Sequence, residues 1–204
     1  MIISTLIKRY TKLTVCEEDI RRACEYIYVA FEKGNKLLVC GNGGSAADSE
    51  HIVGELLKDF NIKRKVRKEF QINYEKLFGS MPIWLEGALP AYSLVSQCAF
   101  ISAYSNDEDS CGVYAQQVYA YGKKNDIFLG ISTSGNSKNV VEAAKVAKAL
   151  DMKILGLTGS RESKLSSLCD VVIKVPEIET FKIQELHLPV YHAICSELER
   201  RFFE

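Results

Sequence analysis

A histidine and a glutamate stand four residues apart directly after a glycine-rich stretch. His51 and Glu55 follow the segment GNGGS at residues 41–45. A helix would bring an i, i+4 pair onto one face. An imidazole and a carboxylate placed together can bind a divalent metal ion, or can move protons next to a carbonyl group. The alternative interpretation is a polar helix face with a local hydrogen bond.

The other two of the three histidines lie near the end of the chain, in the segment IQELHLPVYH. This segment contains Gln184, His187 and His192. Together with the first pair, a His, Glu, Gln and His set suits zinc. However, Gln184 and His192 are eight residues apart, which is about 12 Å along an ideal helix. Their convergence would need a bend at Pro189, which could also mark the true start of the helix, or residues from two subunits.

Two loops have features of anion sites. GNGGS lies between a predicted strand and a predicted helix, which suits an anion site or a tight turn equally well. The segment ISTSGNS at 131–137 is more specific, because one hydroxyl suffices to cap a helix and this loop has more. Hydroxyls at a helix start suit a phosphate monoester, and they belong to Ser132, Thr133, Ser134 and Ser137. The loop has no P-loop lysine, so ATP is not an expected ligand. LTGS at 157–160 is interpreted as structural.

Alternating strands and helices must position these loops. Apolar periodicity predicts strands at 36–41, 126–132, 153–159 and 171–175. It predicts helices at 2–13, 17–33, 45–60, 136–151 and 181–202. This alternation indicates a parallel sheet with helices on both faces, with ligands at the carboxyl ends of the strands.

Residues 60–95 interrupt the alternation, and we interpret them as an insertion that forms a lid or a contact surface. The segment ends in a stretch with two prolines and the only tryptophan. It begins with a basic run, for which a solvated face is the expectation and an electrostatic guide for an anionic substrate the alternative. The basic side chains are Lys63, Arg64, Lys65, Arg67 and Lys68.

Composition narrows the class of protein. The 204 residues suit one domain, with helices in 1–34, and the 26 basic and 26 acidic residues balance. This balance gives no reason to expect a nucleic acid partner. No apolar run approaches the roughly 18 residues of a membrane span, and the first residues do not read as a secretory signal. The seven cysteines form no C-x-x-C pair, which favours reduced thiols and a cytoplasmic location.

Several segments in order resemble the sugar isomerase (SIS) domain family, and within it the phosphoheptose isomerases. They are GNGGSAADSEHIVGEL, SND, ISTSGNS with the helix and strand after it, and IQELHLPVYH. The resemblance covers nearly the whole chain outside 60–95. It implies an α/β fold of the SIS type: three layers, a five-stranded parallel sheet flanked by helices, and an N-terminal helical extension. It also implies a homotetramer with active sites between subunits.

The resemblance also implies roles for individual residues. Zinc would be surrounded by His51, Glu55, Gln184 and His192. Substrate would contact Asn42, Gly43, Gly44, Glu55, Asn106, Asp107 and Gln184, with its phosphate held by Ser132, Thr133, Ser134 and Ser137. The implied reaction interconverts a ketose and an aldose phosphate through an enediol, most simply sedoheptulose 7-phosphate and its aldose. Glu55 is expected to act as base and His192 as its acid–base counterpart.

Two alternatives stay open at this point: an isomerase of another phosphosugar, and a non-catalytic module that binds a phosphosugar or a protein. The non-catalytic adaptor branch of the family lacks the histidine at the position of His192, so the presence of His192 and Glu55 favours an enzyme. One departure concerns the substrate. The family has Gly-Arg-aromatic after EL, whereas this chain has Lys58-Asp59-Phe60. The expected arginine is lost unless Lys58 or the basic run replaces it.

Overall fold

The computed structural model describes residues 2–204. The helices are α1 Ile2–Arg9, α2 Glu17–Glu32, α3 Gly44–Leu57, α4 Lys68–Phe78, α5 Cys98–Asp107, α6 Val113–Tyr121, α7 Lys138–Ala149 and α8 Thr180–Phe203. The strands are β1 Leu37–Cys40, β2 Ala91–Ser93, β3 Ile127–Ile131, β4 Lys153–Thr158 and β5 Val171–Lys174. Short 3-10 turns occupy Thr11–Cys16 and Ser110–Gly112.

All five strands are parallel and lie in the order β2-β1-β3-β4-β5. Successive residues of β1 alternate between the two faces of the sheet, as strand geometry requires. Leu37 and Val39 join a core with α1, α2, α3 and α8, whereas Leu38 and Cys40 join a second core with α6 and α7. The predicted α/β fold with a five-stranded parallel sheet is therefore confirmed, and the N-terminal helices pack into the first core.

The predicted helix at 2–13 is too long, because α1 ends at Arg9 and a 3-10 turn follows. The Thr14 hydroxyl donates to the carbonyl of Thr11 at 2.7 Å. Such local bonds compete with the α-helical pattern, and the β-branched side chains here also disfavour it.

Residues 60–95 are not an insertion throughout. They contain α4 and also β2, the fifth strand, which pairs Ala91 with Leu37 at the edge of the sheet. A strand of three residues next to Pro90 is too short to give a recognisable strand pattern in the sequence. Helix α4 buries none of its residues, and beyond it Ile83 and Trp84 are largely exposed.

The solvated-face interpretation of the basic run is wrong at Arg64, which is fully buried and paired with buried Glu199, Nε to Oε1 2.8 Å. Its other two nitrogens donate to the carbonyls of Glu55 and Leu56, at 2.7 and 2.8 Å. These are carbonyls that a helix end leaves without internal partners. Arg64 therefore ties the end of α3 to α8.

Helix α8 runs without interruption through Pro189, so the alternative that the proline marks the start of the helix is wrong. Proline removes one backbone hydrogen bond and crowds the preceding turn. The helix is held on both sides of it by buried residues, including Ile183, His187 and Val190. No helix in residues 2–204 combines the length and apolarity needed to cross a membrane.

Candidate active site

The two glycine-containing loops lie side by side, because β1 and β3 are neighbours in the sheet. An amide pair joins the first loop to the start of α7, the helix that follows the second loop: Asn42 and Asn139 each donate from Nδ2 to the other's Oδ1 at 2.9 Å. The Tyr114 hydroxyl donates to the carbonyl of Gly41 at 2.7 Å and fixes the start of the first loop. The loops therefore form one surface at the carboxyl edge of the sheet, where open α/β sheets bind ligands.

The first loop depends on its glycines. Gly43 has φ 55°, in the left-handed region that glycine adopts without strain. A Cβ on Gly44 would stand 2.5 Å from Nε2 of Gln184. The α8 side chain thus packs directly on the start of α3, and any residue larger than glycine would displace it.

The second loop keeps its hydroxyls free of helix capping. Ser137 is the N-cap residue of α7, yet its side chain makes no capping hydrogen bond. Its Oγ instead lies 3.0 Å from Oγ of Ser132. The Ser134 Oγ accepts from the backbone N–H of Asn136 at 3.1 Å, and Ser134 is exposed. Thr133 contributes its carbonyl to Gly159 N–H at 3.1 Å.

Three of the predicted chemical groups meet between α3 and α8. The His51 Nε2 lies 3.2 Å from Glu55 Oε1, which is the contact that the i, i+4 spacing predicts. The Nε2 atoms of His51 and His192 are 3.5 Å apart, and their rings meet edge to face. Glu55 is buried, whereas His51 keeps 42% of its side chain exposed, so the cluster opens to solvent through the imidazoles.

Two residues that the sequence did not single out hold His51 from behind. Its Nδ1 lies 3.0 Å from the hydroxyl of Tyr191, and this hydroxyl donates to Asp48 Oδ1 at 3.2 Å. Burial raises the pKa of both Asp48 and Tyr191. Their positions in the sequence could have indicated this contact, since Asp48 precedes His51 by about one helical turn and Tyr191 is adjacent to His192.

The surroundings of His192 favour its neutral form. Partial burial lowers the pKa of His192, and the neighbouring His51 lowers it further, against an opposing effect of Glu55. A neutral imidazole can accept a proton or bind a metal ion, and an imidazolium cannot.

Lys58 brings a cation to the other side of the carboxylate, with Nζ 2.9 Å from Glu55 Oε2. Of the two proposed replacements for the missing arginine, Lys58 is therefore at the site. Lys63 is committed elsewhere, because it pairs with Asp59 and Glu86.

The distances from His51 Nε2 to Glu55 and to His192 each suit a pair of zinc ligands. Bonds of 2.0–2.2 Å in a tetrahedral arrangement place two ligand atoms about 3.3–3.6 Å apart, close to the two distances around His51 Nε2. Across residues 2–204, however, no group of three or more His, Cys, Asp and Glu side chains is arranged to hold a metal ion. A third ligand would have to come from an amide, the substrate or a small movement.

Three predicted site residues stay apart from this cluster. Gln184 lies at Gly44, and no described hydrogen bond joins it to His51, Glu55 or His192. Asn106 and Asp107 end α5, are exposed, and bond to each other at 2.9 Å. Within residues 2–204 neither has a hydrogen bond to the two loops.

A search of protein families gives one matching model, described as the SIS domain, over residues 3–81 and 77–159. The phosphoheptose isomerase of Helicobacter pylori is 37% identical over 91% of this chain and 85% of its own length. That of Crocosphaera subtropica is 40% identical over 85% of this chain and 77% of its own. The solved phosphoheptose isomerase of Neisseria gonorrhoeae matches with a TM-score of 0.77 and 30% identity, over 97% and 94% of the two chains.

The family model ends at residue 159, before α8, whereas the relatives and the solved structure cover most of the chain. The chain belongs to the SIS-domain family. Within that family its place is among the phosphoheptose isomerases, as their identity over most of both chains shows.

Proposed function

We propose that this protein interconverts sedoheptulose 7-phosphate and D-glycero-D-manno-heptose 7-phosphate through an enediol. The observation that carries the proposal is the meeting of Glu55, His51 and His192 in a chain that also carries a hydroxyl-rich loop at the carboxyl edge of its sheet. Relatives named phosphoheptose isomerase support the choice of sugar.

The phosphate is assigned to the loop of Ser132, Thr133, Ser134 and Ser137. Support comes from the hydroxyls that capping does not use and from the start of α7, whose free N–H groups favour an anion. A cavity of about 260 Å³ lies beside Thr133 and Ser134. Its wall includes Arg161, which has no described ion pair, whereas Glu162 and Glu177 are already paired with lysines. The sugar then extends along Asn42, Gly43 and Gly44.

Proton transfer is assigned to Glu55 and His192. Ketose–aldose isomerisation removes a proton from the carbon next to the carbonyl and returns one to the neighbouring carbon. Glu55 is a buried carboxylate and acts as the base, while His192, held neutral, exchanges a proton with the substrate oxygens. Lys58, whose Nζ lies 2.9 Å from Glu55 Oε2, can stabilise the negative charge that develops during this step.

Zinc is the metal that this donor set suits best, held by His51, Glu55 and His192 of one subunit with Gln184 of a second subunit as an amide ligand. When bound, it would polarise the substrate oxygens as a Lewis acid. The support is the pairwise donor spacing around His51 and the chemistry of the ligands. Metal analysis of the purified protein tests this part by itself.

We further propose a cytoplasmic homotetramer with active sites between subunits. The support is that Asn106, Asp107 and Gln184 do not reach the cluster within one chain, so they are free to serve a site in a second copy. A mixture of Glu55→Gln and Asp107→Ala subunits tests this directly. Recovery of activity on mixing the two inactive variants is expected, and no recovery in verified mixed oligomers argues for sites within one chain.

The substrate assignment is tested with a panel of ketose and aldose phosphates of five to seven carbons. Turnover of sedoheptulose 7-phosphate with the highest kcat/KM is expected. The second candidate is another phosphosugar, favoured by Asp59 in place of the family's arginine. Preference for a shorter sugar phosphate would select this candidate. Binding without turnover of any substrate, with zinc supplied, would select a non-catalytic module.

A further inference from the structure

The hydrogen bonds behind His51 define where its proton lies. Three groups form a chain: the Asp48 carboxylate, the Tyr191 hydroxyl and the His51 imidazole, with separations of 3.2 Å and 3.0 Å. Tyr191 is 3% exposed, so water does not compete freely for its hydroxyl. Within residues 2–204, the Tyr191 hydroxyl has no described hydrogen bonds other than these two.

Counting protons along this series of hydrogen bonds leaves one arrangement when Asp48 is ionised. A tyrosine hydroxyl has one proton to donate, and an ionised carboxylate can only accept. Because Tyr191 donates to Asp48, its oxygen must accept from His51, and Nδ1 of His51 must carry a proton. The neutral imidazole then has a bare lone pair on Nε2.

That lone pair faces the carboxylate of Glu55. Nε2 of His51 lies 3.2 Å from the carboxylate oxygen of Glu55 and 3.5 Å from Nε2 of His192. A lone pair opposed to a carboxylate has no attraction of its own at this distance. The contact between His51 Nε2 and the Glu55 carboxylate becomes favourable only when a positive charge, either a proton or a metal ion, lies between the two atoms.

We propose that Asp48 and Tyr191 are positioning residues that hold the proton of His51 on Nδ1 and so present the Nε2 lone pair, with Glu55, to a cation. The cation is a divalent metal ion or a proton in transfer. The inference deepens the proposed function, because it names how the site is prepared for its charge.

A purely structural role explains the arrangement less well. A buried tyrosine needs one partner for its hydroxyl, and Asp48 alone would satisfy it. Asp48 also keeps its Oδ2 atom buried with no described hydrogen bond. An unsatisfied buried carboxylate oxygen is costly, so retaining the charged group is consistent with a function beyond packing. Outer partners of metal-binding histidines commonly fix the ring in this manner.

The tautomer can be observed directly in protein labelled with ¹⁵N-histidine. Two-bond ¹H–¹⁵N spectra distinguish protonated Nδ1 from protonated Nε2, and His187→Gln and His192→Gln variants assign the three histidine signals. We expect Nδ1–H for His51 in the metal-free protein. Nε2–H in that spectrum would overturn the proposal.

Variants test the two relay residues. Tyr191→Phe removes only the hydroxyl, so His51 should switch to Nε2–H and donate to Glu55. Asp48→Ala should shift the tautomer of His51 in the same direction. Asp48→Asn keeps an acceptor for the Tyr191 hydroxyl, so the Nδ1–H form of His51 should be retained. Tyr28→Phe is the matched control, because it removes a tyrosine hydroxyl that bonds to Glu32, away from the site. An unchanged His51 signal in Tyr191→Phe refutes the relay.

Zinc titration of the apoprotein then identifies the cation. If the cation is a metal, Tyr191→Phe should weaken zinc binding roughly 10- to 100-fold, and Tyr28→Phe should not. If wild-type protein shows Nδ1–H yet binds no zinc, the relay stands and its cation is the transferred proton. Equal zinc affinity in wild type and Tyr191→Phe contradicts the metal form of the proposal. None of these measurements uses turnover, so an inactive enzyme would refute the proposed function and leave the relay to be judged by itself.

Discussion

The buried pair of Arg64 and Glu199 should dominate the stability of the region that holds Glu55. Arg64 and Glu199 have 0% and 1% of their side chains exposed. Glu199 also accepts the backbone N–H groups of Phe60 and Asn61 at 2.7 and 2.8 Å. Burial alone would raise the pKa of Glu199, but these bonds and Arg64 outweigh it and lower the pKa.

Arg64→Met removes the cation and leaves the carboxylate buried. Breaking a buried pair in this way costs about 3–5 kcal/mol, a large fraction of the roughly 5–15 kcal/mol that stabilises a typical domain. The double variant Arg64→Met, Glu199→Gln keeps acceptors for the two backbone N–H groups without the charge. It should therefore recover part of this loss.

Urea unfolding at one fixed protein concentration measures these free energies, since oligomer stability depends on concentration. Arg67→Met is the matched control, because Arg67 lies in the same basic run, is exposed and has no described side-chain contact. Its change should stay within about 0.5 kcal/mol. If Arg64→Met destabilises no more than Arg67→Met, the buried clamp is not what holds the end of α3.

Three further predictions concern the site and its supporting helix. Glu55→Gln should lower kcat by about 10²–10⁴-fold with an unchanged fold, because it removes the base; near-normal turnover in a steady-state assay would exclude Glu55 from the reaction. Ser134→Ala should raise KM more than it lowers kcat, and an unchanged KM would contradict the phosphate assignment. Burial lowers the pKa of His187 to about 4, so the unfolded chain takes up the proton first as the pH falls. Stability should therefore decline between about pH 6.5 and 4, by up to about 3 kcal/mol, and His187→Gln should flatten that decline in urea titrations across this range.

Local patterns predicted the parts of the site that lie within one element. The spacing of His51 and Glu55 predicted their contact, and the strand-loop-helix pattern predicted that both loops lie at one edge of the sheet. Periodicity succeeded here because a helix face and the carboxyl edge of a parallel sheet are fixed by backbone geometry.

Contacts between distant elements could not be read in the same way. A basic run gives no sign that Arg64 has a buried partner 135 residues later. Likewise, the family resemblance implied that Gln184 and His192 bind one ion. Within one chain, Gln184 packs on Gly44 and His192 lies at His51. Strand β2 was missed because its three residues are paired by their position next to β1, not by a signal of their own.

Hydrogen exchange at the substrate carbon tests the central claim most directly. Sedoheptulose 7-phosphate is incubated with the zinc-supplied protein in deuterated water, and deuterium at C1 and C2 is followed by NMR and mass spectrometry. The account predicts enzyme-dependent incorporation that is lost in Glu55→Gln and retained in Tyr28→Phe. No incorporation into this sugar, or into any other sugar phosphate of the panel, would contradict an enediol mechanism.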